Sequence, residues 1–329
     1  MLSSQTSLDG EPHCASAAGT NAGPGQPRVM VLLATYNGSR WVREQMESIL
    51  GQRGCDLGIA VKDDVSTDGT RRELARFAGD ARVTIAVANA PSGSAARNFL
   101  SLIRENPATD FDFIAFADQD DQWQADKLQR ACRMLTASGT AGYSSATVAT
   151  WGNGRETLLK LSQEPTASDF LLEGAGQGCT FVLTAALYGR VRRFLLTHGE
   201  LTRTIHYHDW LVYALARSWG MRWSFDPVPS VHYRQHGAND TGARYTLTGI
   251  TKRFSLIRNG WYRGQLSAMA QLCLTAAPAS TRVRTWSSIL QQPDSWRRRL
   301  RIAGFCLGGG RKRSLDNAVI LIAALAGWI

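Results

Sequence analysis

The sequence predicts an α/β protein with a mostly parallel, doubly wound central sheet flanked by helices. Between Arg28 and Leu135 short β-branched apolar runs alternate with amphipathic stretches of helical spacing, four times over. The first run is continuously apolar, the pattern of a strand buried on both faces. Three of the runs end in polar clusters, Thr35–Asn37, Asp63–Asp64 and Asp118–Asp121, and ligands of such sheets bind beyond the carboxyl ends of the strands.

Val29–Ala34 reads as the first strand, opening into Thr35-Tyr36-Asn37-Gly38, with a helix over Trp41–Leu50. Leu57–Val61 is the second strand, closed by Lys62-Asp63-Asp64. Thr67–Phe77 is a helix that begins with Ser/Thr/Asp capping chemistry. Val83–Val87 and Ser94–Arg104 form the third unit, Phe111–Ala117 and Trp123–Leu135 the fourth. Farther on, Gly174-Ala175-Gly176-Gln177-Gly178-Cys179-Thr180 is a flexible loop entering the strand Phe181–Leu183, and it either admits a substrate or merely connects. His206–Trp210 leads into the helix Leu211–Trp219. Trp223–Tyr233 reads as two short strands broken by Pro227 and Pro229, and residues 244–314 as basic and helical.

The net charge of +10 calls for anionic partners: nucleic acid, phospholipid head groups or diphosphate-bearing small molecules. No basic motif interleaved with aromatics and no reader helix is present, so nucleic acid is not expected. Six scattered cysteines, without a CxxC pair, read as reduced thiols of a cytoplasmic protein. Residues 1–27 are rich in Ser, Ala, Gly and Pro and read as a disordered leader, not a signal peptide. The apolar run Ala318–Ile329, even extended back to Leu315, is about 22 Å as a helix and too short for a ~30 Å hydrocarbon core. It follows Arg311-Lys312-Arg313 and the arginines of Arg297–Arg301, a pattern expected of peripheral contact with the anionic inner face of the plasma membrane. The alternative is a final core helix.

The chemistry concentrates in Asp118-Gln119-Asp120-Asp121. Three carboxylates in four residues repel one another unless a cation sits among them, and hard oxygen ligands at a strand end suit magnesium or manganese that also meets phosphates. An acidic loop capping the next helix is the bland alternative. Asp63-Asp64-Val65-Ser66-Thr67-Asp68-Gly69-Thr70 ends a second strand of the same sheet, where a carboxylate can receive a nucleotide base or ribose.

These segments, with Leu33-Ala34-Thr35-Tyr36-Asn37-Gly38, Asn98-Phe99-Leu100, Phe116–Trp123, His208-Asp209-Trp210 and Tyr233-Arg234-Gln235-His236, resemble the family 2 inverting glycosyltransferases, especially the rhamnosyltransferase-like members. The resemblance runs from about residue 28 to 242. Val65 departs from it, standing where the family usually has Gly. The resemblance implies a GT-A fold in three parts: the leader 1–27, a transferase domain 28–242 (nucleotide half 28–137, acceptor half 138–242), and a basic helical extension 243–329 with an apolar tail. It further implies that Thr35, Tyr36, Asn37, Asp64, Asn98 and Asp118 hold a nucleoside diphosphate sugar, with Arg234 on the diphosphate. Asp118 and Asp120, with His236, would hold a divalent metal, Mg or Mn. Asp209 would be the general base toward a glycan or lipid-linked acceptor, its alternative being an N-cap of the following helix; for His236 the alternative is a structural hydrogen bond. A non-catalytic sugar-nucleotide or membrane-binding protein on the same fold is the competing reading.

Overall fold

The computed structural model describes residues 25–161, 163–237 and 254–329. Most of the leader and residues 238–253, with part of the basic segment read as helical, therefore lie outside the described residues.

The four expected units are present. β1 (Arg28–Thr35), α1 (Val42–Leu50), β2 (Asp56–Asp63), α2 (Thr70–Ala75), β3 (Val83–Val87), α3 (Ala95–Glu105) and β4 (Phe113–Asp118) follow one another, and β1 pairs in parallel with both β2 and β4. The continuous apolar run of β1 divides its side chains between two cores. Leu32 and Ala34 join the core beneath α3, whereas Val29, Val31 and Leu33 join that beneath α1. Both faces are covered, as a parallel sheet requires. Ser94 caps α3 by accepting from Arg97 N at 3.2 Å, a contact worth about 1 kcal/mol. α2 is shorter than expected, because the Asp63–Gly69 turn takes up its first residues.

β5 (Gln122–Trp123) and α4 (Lys127–Ser138) come next, then β6 (Gly142–Trp151) and β7 (Glu156–Leu159), β8 (Val182–Thr184), α5 (Ala185–Thr197), α6 (His208–Ser218) and β9 (Trp223–Gln235). Among the described residues the sheet runs β3-β2-β1-β4-β8-β6-β9-β5, with β7 against β6. From β4 to β8 it turns antiparallel, so the fold is a parallel nucleotide-binding half continued by a mixed half. The reading of two strands at Trp223–Tyr233 is corrected. β9 is one strand along β6, and Pro227 and Pro229 sit where its register slips, between Asp226 and Val231. Proline lacks the ladder N–H, so it is absorbed as a bulge.

After a helical stretch over residues 254–258, the described residues continue with α7 (Trp261–Ala276), α8 (Thr281–Gln291), α9 (Trp296–Leu307) and α10 (Ser314–Leu325). Leu266, Met269, Trp286, Ile302 and Ile320 lie in the same core as α3 and α6. No helix of the described residues is long and apolar enough to cross a membrane. Two of the basic residues expected to face lipid are turned inward instead. Arg311 pairs with Glu173 at 3.0 Å and Lys312 with Asp169 at 3.5 Å, both cations mostly buried. Arg298 is also buried and donates to the Ile289 and Ile329 carbonyls.

Candidate active site

Strand register assembles the site. Thr35 pairs with Asp63 and Ala34 with Asp118, so the ends of β2 and β4 flank β1 on one rim. Two strand spacings separate them, about 10 Å. Asp64 and Asp120, one and two residues beyond these ends, therefore share that rim.

On the β2 side, Asp64 is 4% exposed and accepts hydrogen bonds from Ser92 N (2.7 Å) and Ser92 Oγ (2.8 Å). Asp63 lies deeper and accepts from Thr35 Oγ1 (3.1 Å), Ser66 N (2.9 Å) and Arg71 Nε (3.2 Å). The Thr35 hydroxyl is thus buried against Asp63 rather than turned toward a ligand. Asn98 is buried too, its Nδ2 donating to the Lys62 carbonyl at 3.1 Å and reaching the Thr35 carbonyl at 3.4 Å. Asn37 Oδ1 accepts from Thr67 N at 2.9 Å and stitches the two strand-end loops together. Thr35 and Asn98, expected on the nucleotide, therefore hold the rim from within, Asn37 ties its loops together at the surface, and Tyr36 is 53% exposed above it. The Val65 departure has a structural consequence: its φ is +60°, the left-handed region that disfavours a β-branched residue.

On the β4 side, Gln119 reaches back to β1. Its Oε1 accepts from Tyr36 N at 2.7 Å and its Nε2 donates to Tyr36 O at 2.8 Å. A Cβ on Gly38 would stand 2.3 Å from that amide oxygen, so glycine is what permits the approach. Asp120 Oδ2 is 2.8 Å from His236 Nε2, and the imidazole stacks on Trp41 with centroids 4.0 Å apart. Arg234 braces the same loop, donating to the Asp120 carbonyl (3.1 Å) and to Glu44 Oε2 (2.6 Å). Asp120 and His236 come together; Arg234 is engaged beneath them.

Asp121 is fully buried, and among the described residues neither of its oxygens accepts a hydrogen bond of ordinary geometry. One ligand atom each from Asp118, Asp121 and Cys179 lie within 4.8 Å of one another. Burial first, then the charges of Asp120 and Asp118, push the Asp121 carboxyl well above its usual range. Burial and then Asp121 push the Cys179 thiol up likewise, so it stays protonated. Such a crowd of oxygen donors next to an imidazole suits a hard divalent ion. Lys127, which feels the charge of Asp121, is itself fully buried, with Nζ 3.5 Å over the Trp123 ring and no hydrogen-bond acceptor among the described residues. Burial lowers it to about 7.

Asp209 lies half-buried in the first turn of α6, and its Oδ1 accepts from Trp210 N at 2.7 Å. Below it His208 stacks on Phe99 at 3.9 Å, and burial lowers its pKa to about 3, so it is neutral. The glycine loop is tightly packed here. A Cβ on Gly178 would meet Asp209 Cβ and His208 Nε2, each at 3.1 Å. Gly178 thus touches Asp209 while its neighbour Cys179 touches the Asp118–Asp121 pair, which ties α6 to the acidic rim.

With this geometry in hand, likeness to known proteins decides the family. Residues 30–187 match the model of Glycosyl transferase family 2. The chain is 35% identical over 240 residues to the dTDP-rhamnosyl transferase RfbG of Shigella flexneri, covering 72% of this chain and 83% of that one. The chain belongs to glycosyl transferase family 2. As a family 2 glycosyltransferase it is also 30% identical over 124 residues to the putative teichuronic acid biosynthesis glycosyltransferase TuaG of Bacillus subtilis (strain 168), 36% of this chain and 48% of that one. Among solved structures, S. aureus TarS 1-349 in complex with UDP-GlcNAc superposes with a TM-score of 0.55 at 15% identity, covering 92% of this chain and 80% of that one. That likeness establishes the GT-A fold.

Several members of the glycosyltransferase site had no signal of their own in the sequence. Ser92, Trp41, Gly178 and the Gln119 amide act through partners tens of residues away. The adjacency of Gln119 to two aspartates drew attention to its segment, and the run of glycines to that of Gly178.

Proposed function

We propose that the protein transfers a sugar, with inversion, from a nucleoside diphosphate sugar to a hydroxyl of a lipid-linked or polysaccharide acceptor. The observation that carries this reading is the shared rim: Asp64 beyond β2, Asp118 at the end of β4 and Asp120 beyond it, and Asp209 joined to them through Gly178-Cys179. Asp64 and the exposed Tyr36 receive the nucleoside; Thr35, Asn37 and Asn98 keep their loops in place. Asp118, Asp120 and His236 would hold a magnesium or manganese ion, which supplies charge neutralisation to the departing diphosphate in a water-poor site. Arg234 acts by fixing the Asp120 loop. Asp209 takes the proton of the acceptor hydroxyl as that oxygen attacks the anomeric carbon, in line with the leaving group.

The likeness to a dTDP-rhamnosyl transferase favours dTDP-rhamnose as donor. We divide the chain into a nucleotide half (28–137), an acceptor half (138–242) and an extension (243–329); the change from parallel to mixed pairing after β4 supports the first two, and the boundary at 242 lies outside the described residues. The outward faces of α9 and α10 favour a lipid-linked acceptor at an anionic membrane surface. Trp296, Leu300, Leu307, Leu315, Val319 and Ile322 are exposed there, Leu315 by 82%, beside the exposed Arg297 and Arg301. Apolar side chains flanked by arginine suit the head-group boundary of an anionic bilayer.

Thermal unfolding against dTDP, UDP, GDP and CDP, each with and without manganese, tests the donor site. Metal-dependent stabilisation by a thymidine or uridine diphosphate is expected. Equal stabilisation with and without metal would remove the metal from the reading, and no stabilisation by any nucleotide would remove the donor site itself.

A further inference from the structure

Beside the Asp120–His236 pair, on the α1 side of the sheet, lies a cleft of about 500 Å³. Arg40, Trp41 and Glu44 wall it from the start of α1, Thr150 and Trp151 from the end of β6, Glu156 from β7, and His232 and Gln235 from β9. Asp209 opens α6 on the other face of the sheet, whose core is separate.

The lining has the chemistry of a polyol site. The Trp151 indole supplies flat apolar surface, with the Arg155 guanidinium 5.2 Å from its ring, while one face of Trp41 is taken by the His236 imidazole at 4.0 Å. Amide, hydroxyl and carboxylate groups around them offer both donors and acceptors, which suits sugar hydroxyls that do both. Charge is balanced. Arg234 is paired with Glu44 at 2.6 Å, and Glu156 stands 3.8 Å from His232. Among the groups that line the cleft, Glu44 and Glu156 stand beside Arg40 and Arg234, two carboxylates to two guanidiniums, so a diphosphate finds no excess of guanidinium there. Gln235 adds a second observation: its residue is only 9% exposed, and its Nε2 has no hydrogen-bond acceptor among the described residues. A buried amide donor left unmet is costly unless a ligand or water meets it.

We propose that this cleft binds an uncharged stretch of glycan, the part of the acceptor chain that lies away from the reacting hydroxyl. The proposal rests on the glycan-acceptor reading above. An enzyme so built grips its acceptor at two points, the reacting sugar at Asp209 and an earlier sugar between Trp41 and Trp151.

Fluorine NMR of protein labelled with 5-fluorotryptophan tests it, since the chain has ten tryptophans and Trp151→Phe assigns the relevant signal. The probes are neutral oligosaccharides of rhamnose, glucose and N-acetylglucosamine, titrated to about 20 mM, with dTDP and UDP plus manganese as a separate arm. At least one oligosaccharide is expected to shift the Trp151 signal, and Trp151→Ala to weaken that saccharide about tenfold with nucleotide affinity unchanged. A Trp151 signal silent across the saccharides, or one answering to nucleotide in their place, overturns the subsite. The nucleotide arm alone judges the donor site, so the two readings fail separately.

Discussion

The side chain of Gln119 clasps the backbone of Tyr36 at both ends, accepting from its N–H at 2.7 Å and donating to its carbonyl at 2.8 Å. This clasp joins the loop after β4 to the loop after β1. Removing it in Gln119→Ala forfeits two hydrogen bonds, each worth about 0.5–1.5 kcal/mol. Nucleoside diphosphate affinity should fall roughly tenfold with little change in melting temperature. Gly38→Ala should do the same, because the added methyl evicts the amide. Calorimetric titration of both variants checks the pair; a Gly38→Ala protein that binds like wild type contradicts the clasp.

Asp209→Asn keeps the shape of the α6 entry and removes the base. Turnover should drop about 10²-fold or more while nucleotide affinity stays put. Retention of over about a tenth of the activity defeats the assignment. Gly178→Ala, which crowds Asp209 and His208 at 3.1 Å, should lower turnover by a smaller factor.

Lys127 gives a stability prediction with a pH signature. Its amine is buried without a hydrogen-bond acceptor, and its pKa falls from 10.5 unfolded to about 7 folded. Between those values the unfolded chain binds the extra proton, so this group's contribution rises with pH from about 7 to 10.5; below 7 its full penalty is present. Lys127→Met should therefore stabilise the protein by about 1–4 kcal/mol at pH 6 and by progressively less toward pH 10. Melting curves of variant and wild type across that range decide it, and a gain independent of pH would assign the effect to packing instead.

Val65 stands at φ +60°, which costs an L-residue roughly 1–2 kcal/mol. Val65→Gly relieves that and gives back part through the greater freedom of the unfolded chain. A net gain of about 0.5–1 kcal/mol in denaturant unfolding is expected, with the Asp63–Asp64 turn unchanged.

For the membrane contact, the triple change Leu315→Ser, Val319→Ser and Ile322→Ser alters only the exposed side of α10. Flotation with phosphatidylglycerol-containing vesicles should weaken about tenfold while the protein stays folded. Wild-type protein that never floats ends the idea.

The parallel half was legible because its signals are local. Each strand of β1–β4 is a short apolar or β-branched run, each helix carries a 3.6-residue apolar period, and the acids sit at strand ends. The mixed half was not. The β6–β7 hairpin escaped notice, and the prolines of β9 looked like chain breaks although their positions fall at a register slip along β6. Within the site, the acidic residues could be found by type, but their tasks could not. Thr35 and Asn98 turn inward because Asp63 and the Lys62 carbonyl lie beside them, a matter of strand register rather than composition. Arg311 and Lys312 read as a surface patch because their partners, Glu173 and Asp169, lie some 140 positions earlier.

The C-terminal helices grip the segments around Asp209. Gln265 of α7 accepts from His206 N at 3.0 Å and donates to the Thr204 carbonyl at 2.8 Å, and Tyr262 Oη donates to the Leu172 carbonyl at 2.6 Å. A gene trimmed after the last recognisable signature, at residue 242, would keep every acid of the transferase and lose the vice that aims one of them. Minimal catalytic versions of this enzyme therefore have to keep residues 254–329, and chimaeras that swap donor specificity do best to carry them along with the acceptor half.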